Sequence, residues 1–125
     1  MKNEKLTEKL KNLWKSENEY SKLNKGARTV VFEYERTLRT MEYSNYTTDY
    51  LIISEMWSDQ MQEALDFMKE VGINKFVFID ESSEAYKSII KFLENDCKLS
   101  PIVYKIDELY GGEVKEELKG ILVEL

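Results

Sequence analysis

Lys75-Phe76-Val77-Phe78-Ile79-Asp80-Glu81-Ser82-Ser83 reads as a strand that stops abruptly and hands over to a helix. Residues 76 to 79 are apolar without alternation, as a strand covered on both faces of its sheet requires. Upstream, Gly72 closes a helix whose apolar face is Trp57, Met61, Ala64, Leu65 and Met68, with Ser54 or Ser58 available as its cap. Downstream, Ser82 or Ser83 caps a second helix that carries Glu84 in its first turn. Tyr86, Ile89, Ile90 and Leu93 follow at i, i+3, i+4 and i+7 as its buried face. That helix ends at Asn95-Asp96, residue types that tolerate the left-handed conformation.

Two further strands and one short one complete the pattern. Pro101 opens Ile102-Val103-Tyr104-Lys105-Ile106, at the position where a missing N–H does least harm. Tyr110-Gly111-Gly112-Glu113 is a turn, and Ile121-Leu122-Val123-Glu124-Leu125 returns beside the previous strand as a hairpin. Residues 113 to 119 are open to a short helix, since Val114 and Leu118 stand four apart. Tyr50-Leu51-Ile52-Ile53 fits a short buried strand or the start of the helix after it. The order β-α-β-α-β-β, with short connections, predicts an α/β domain built on a small, mainly parallel four-stranded sheet flanked by helices.

The N-terminal third is helical by its periodicity. Leu6, Leu10, Leu13, Trp14 and Tyr20 share one face of a helix over residues 3 to 24, and Gly26 suits the left-handed residue that ends it. Thr29-Val30-Val31-Phe32-Glu33-Tyr34 has the β-branched and aromatic content of a strand. Ala27, Val31, Tyr34, Leu38 and Met41, however, recur at steps of four and three, and this predicts a helix over 27 to 43 that pairs with the first as an αα-hairpin. The 125 residues make one domain, with the helical hairpin in 1 to 43 and the sheet with its crossover helices in 49 to 125.

Composition excludes several chemistries. No histidine is present and Cys97 is the single cysteine, so neither an internal disulfide nor a zinc site of the usual Cys and His ligands can form. The commonest general base near neutral pH is also missing. Cys97 follows a helix C-terminus, whose dipole raises a thiol pKa rather than lowering it. No glycine-rich loop follows a strand, so a nucleotide-phosphate cradle is not expected, and neither is any cofactor. No apolar run reaches the ~20 residues that span a bilayer, and a cytoplasmic protein is expected.

Charge is uneven. Residues 1 to 28 hold eight Lys/Arg against four Glu, whereas residues 29 to 72 hold three against nine Asp/Glu, within a net charge of −6. Glutamates interrupt the basic helix and the whole chain is acidic, which disfavours direct nucleic-acid binding. The acidic span offers a negative face to a protein partner, with Glu33, Glu35 and Glu42 as its charges and Tyr43 and Tyr46 as contact aromatics.

Ligands of open α/β sheets sit beyond the carboxyl ends of the strands. On this reading that edge gathers Glu55, Asp80, Glu81, Ser82, Ser83 and Asp107, an oxygen-rich set of the kind that holds magnesium for chemistry on phosphate esters or nucleic acid. Capping explains the two serines more simply than catalysis does.

The segment from Trp57 through Gly72-Ile73-Asn74-Lys75-Phe76 to Cys97-Lys98-Leu99 resembles a group of small uncharacterised proteins carried on conjugative and phage-like elements of Gram-positive bacteria. In that group a helix ends in Gly-Ile before an apolar strand, and a later helix ends in Gly-Cys-Lys, where this chain has Asp96. The resemblance implies an accessory role and brings no catalytic residues. A non-enzymatic interaction protein with an unidentified protein partner is therefore expected, and a metal-dependent enzyme using the strand-end carboxylates is the alternative.

Overall fold

The computed structural model describes residues 3–54 and 56–125. Its sheet has four strands: β1 (Leu51–Ile53), β2 (Lys75–Phe78), β3 (Lys98–Leu109) and β4 (Val114–Glu124). They lie in the order β1-β2-β4-β3. The pair β1–β2 is parallel, with Leu51 opposite Phe76, but β4 runs antiparallel to both β2 and β3. The sheet is thus mixed, not mainly parallel. The last strand enters between β2 and β3 instead of adding at an edge, and each of its neighbours pairs with it by the ordinary antiparallel ladder. Residues 113 to 119 are strand and turn rather than helix, so β3 and β4 form one long hairpin.

Helices α1 (Glu4–Lys15) and α2 (Glu17–Lys22) replace the single N-terminal helix predicted. Ser16 breaks it with extended φ/ψ and caps α2 by accepting the Glu19 N–H. The helix α3 (Lys25–Met41) follows, with Asn24 as its cap, the side-chain oxygen taking the Ala27 N–H at 2.9 Å. Here helical periodicity prevails over β propensity, and Ala27, Val30, Val31 and Tyr34 are buried. Trp14 packs on Phe32 and on Tyr20, which joins α1 and α2 to α3 as the expected helical hairpin.

Gly26 does not close the first helix. It lies inside the first turn of α3, buried against α4 (Met61–Val71), where a Cβ would stand 2.4 Å from the Gln60 carbonyl oxygen and 2.6 Å from the Ala64 nitrogen. Gly72, by contrast, ends α4 in the left-handed region at φ 92°, as its sequence position predicts. Asp96 does the same after α5 (Ala85–Glu94) at φ 57°.

One core joins the helices to a sheet face. Leu51, Ile53, Phe76, Phe78 and Val123 project from that face into a cluster with Leu10, Val31, Tyr34, Leu65, Met68 and Phe92. Phe92 of α5 meets Phe76 and Phe78 edge-on, at centroid distances of 5.6 and 5.1 Å. The buried face of α5 is Ser88 and Phe92, flanked by Ala85 and Ile89, and Tyr86, Ile90 and Leu93 are exposed. The buried stripe is thus rotated from the predicted one, with Phe92 filling the space over the two sheet phenylalanines.

Helix α3 also closes the β1 edge. Leu51 and Ile53 face β2 in register, leaving the N–H groups of Ile52 and Ser54 pointing outward. The Thr37 hydroxyl accepts the first at 3.1 Å and a Glu33 carboxylate oxygen accepts the second at 2.7 Å. Thr37→Val keeps the shape and removes the acceptor of a buried N–H, so stability should fall by about 1–3 kcal/mol. Urea denaturation reads this directly, and an unchanged midpoint would mean that the edge is not held this way.

The connector between α3 and β1 touches the opposite edge strand. Tyr46 bridges Lys105 of β3, with Thr47 N–H donating to the Tyr104 carbonyl and Ile106 N–H to that of Asn45. Yet the Tyr46 hydroxyl lies 3.3 Å from Thr40 Oγ1 of α3, the helix that covers β1. In a flat sheet those edges stand ~14 Å apart. The Tyr46 side chain spans part of that distance, and the β3–β4 ladder shifts register at Val103–Lys105, a bulge beside this contact. Ile52 and Val77, which lie outside the cluster on the helix side, are buried as well.

Candidate functional site

The strand-end residues assemble in part. Asp80 Oδ1 accepts the Ser82 N–H at 2.8 Å, a side-chain turn that takes the chain from β2 towards α5. The Ser82 carbonyl accepts the Ala85 N–H, but neither Ser82 nor Ser83 caps α5 through its hydroxyl. Ser54 and Ser58 likewise cap nothing, since neither α4 nor the 3₁₀ turn at Ser58–Gln60 has a side-chain cap and Ser54 is held by Glu33. A shallow groove of about 190 Å³ follows the turn, lined by Asp80, Glu81, Ala85, Ile89, Tyr104 and Lys119 among others. Burial pushes the Tyr104 hydroxyl up from its ordinary value, helped by the fields of Tyr46, Glu81 and Asp107. It is therefore a hydrogen-bond donor, not a base, at neutral pH.

Asp107 does not join Asp80. It lies along β3 opposite Glu116 and pairs with Lys105 at 3.4 Å. Glu55 lies outside the described residues. Among the described residues no three His, Cys, Asp or Glu side chains come together as a metal-binding group. Millimolar magnesium is expected to leave the melting temperature unchanged, and a clear rise would instead put an ion at the Asp80–Glu81 turn.

The predicted acidic interface divides. Glu33 is fully buried, against the expectation of an exposed charge, because its carboxylate is needed to close the β1 edge. Its other oxygen pairs with Arg36 at 2.6 Å, and Arg36 also reaches the Ser54 hydroxyl and stacks over Phe32. Glu35 is half-buried, whereas Glu42 is exposed and Tyr43 almost fully so, at 87%. Tyr46 folds back on β3, 6.5 Å from the Tyr104 ring with Lys105 Nζ over its face.

Three apolar features escape the sequence reading. The first is Trp57, assigned there to the face of α4. It lies outside that helix and is 78% exposed, while Met56 beside it is buried. With Tyr20, Lys25, Arg28, Phe32 and Gln60 it lines an open depression of about 410 Å³ that contains no acidic lining residue. Neither Lys25 nor Arg28 makes an ion pair among the described residues. The second is the stripe of Tyr86, Ile90 and Leu93 on α5. The third is the tip of the β3–β4 hairpin, where Leu109, Tyr110 and Val114 are exposed and Tyr110 takes a left-handed φ of 53°. The turn signal at Gly111-Gly112 could have located the tip, but only the packing of Phe92 decides which face of α5 is bare.

Cys97 is buried, and this burial pushes its thiol up, with Lys69 lowering it and Asp96 raising it to lesser degrees. No helix among the described residues is long and apolar enough to cross a membrane. Comparison with protein-family models, with curated proteins and with solved structures found no match.

Proposed function

We propose that this chain is a non-enzymatic accessory protein that works by binding another protein in the cytoplasm, in keeping with its resemblance to proteins of Gram-positive mobile elements. The observation that carries this reading is the grouping of its exposed large apolar side chains. Among the described residues six of the nine fall in two groups, Tyr86, Ile90 and Leu93 on α5 and Leu109, Tyr110 and Val114 at the hairpin tip, and Trp57 stands exposed beside Arg28. Aromatic side chains beside arginine are the composition that protein interfaces favour, and Trp57 beside Arg28 is such a pair.

The test is capture from a host extract by the immobilised protein and by Trp57→Ala, Ile90→Ala and Tyr110→Asn variants. All three positions are exposed, so the variants should melt as the parent does. At least one specific partner should be recovered by the parent and lost with one of the variants. Identical recovery by all four proteins would overturn the reading.

A further inference from the structure

We infer that the basic aromatic depression around Trp57 receives the acidic hairpin tip of a second copy of this chain, so that two copies pair through two such contacts. This rests on the interaction reading above and names one partner for it. The depression offers an exposed tryptophan, Phe32, two cations and no acid in its lining. The hairpin presents the complement: Leu109, Tyr110 and Val114 at its tip, with Asp107, Glu108, Glu113, Glu116 and Glu117 outnumbering Lys105, Lys115 and Lys119 along its strands. Of those acids only Asp107 has an ion-pair partner among the described residues. Residues 108 to 117 are all exposed, so the tip is accessible.

Area favours a second copy over a single foreign loop. One contact of this kind brings together only a few large side chains on each side, whereas a stable association buries ~1,200 Å² or more. Two contacts related by a twofold axis double the area without any new surface. A twofold axis that brings each tip to the other copy's depression makes both contacts at once, and the assembly closes as a dimer.

Light scattering coupled to size exclusion, run from micromolar to hundreds of micromolar protein, reads the result. The mass should rise from 14.8 kDa towards twice that value, and high salt should reverse the rise. Lys25→Glu with Arg28→Glu should remain monomeric, as should Glu116→Lys with Glu117→Lys and the single variant Tyr110→Asn, whose new residue tolerates the left-handed backbone. Mixing the two charge-reversed proteins should restore the dimer, because each then meets a complementary partner. That rescue also excludes misfolding as the cause of the monomers. Ile90→Asp, on α5, should leave the mass unchanged.

A monomer at every concentration overturns the inference, as does a dimer indifferent to Lys25 and Arg28 or one broken by Ile90→Asp alone. A monomer that still captures a host protein through Trp57 sinks the dimer and leaves the interaction reading standing.

Discussion

Gly26→Ala should destabilise the protein by about 3 kcal/mol or more, or prevent it from folding. The sign is what makes the experiment informative. In an ordinary helix the same substitution stabilises by up to ~1 kcal/mol, because alanine has less backbone freedom to lose. Here the added methyl group would meet the Gln60 carbonyl oxygen at 2.4 Å, the Glu63 Cβ at 2.5 Å and the Ala64 nitrogen at 2.6 Å. Two of the three are backbone atoms that cannot rotate away, so α3 and α4 must separate. That separation also stretches the bond from the Gly26 N–H to Glu63 Oε1, now 3.2 Å. Thermal melting should show a fall on the order of 10 °C for a chain of this size. A variant as stable as the parent would mean that the two helices do not cross at this residue.

Glu33→Ala should cost about 1–3 kcal/mol, the penalty of leaving a hydrogen-bond donor without its acceptor. Two losses combine. The half-buried Ser54 N–H at the end of β1 loses its acceptor, and the Arg36 guanidinium loses the carboxylate 2.6 Å away. Arg36 is 29% exposed and can turn towards water, so most of the cost should come from Ser54. Glu33→Gln separates the two contributions. It keeps an acceptor for the N–H and drops only the charge, so it should fall between the parent and the alanine variant in urea denaturation. A Glu33→Ala variant within 1 kcal/mol of the parent would contradict the role given to this carboxylate.

What the sequence disclosed and what it concealed follow from the range of the interactions. Local signals survived folding. The step-of-four-and-three recurrence in 27 to 41, the left-handed Gly72 and Asp96, and the unalternating strand at Phe76 to Phe78 all hold. Each is decided by contacts within a few residues. Sheet order is not so decided: nothing near Ile121 says that β4 will sit beside β2, because the complement of that strand lies more than forty residues away.

The site suffered more than the fold for the same reason. Asp80, Glu81, Ser82 and Ser83 stayed together because they are contiguous, while Asp107 was carried off along the hairpin. Glu33 looked like any solvated helix carboxylate, and only the β1 edge beside it explains its burial. Trp57 misled in the opposite direction. Its spacing from Met61 and Ala64 implied a core position, but the 3₁₀ turn at Ser58–Gln60 moves it off that stripe.

The placement of β4 has a consequence for the order in which the chain can be completed. Ribosomal synthesis delivers β1, β2 and β3 first, yet β2 and β3 never pair with each other and are joined only through β4, which lies between them. A translation product that stops before Val114 can pair β1 with β2 but leaves the inward side of β2 and the β4-facing side of β3 as open strand edges, the surfaces most prone to joining the wrong chain. Premature termination before Val114 should therefore yield aggregates rather than a shortened fold.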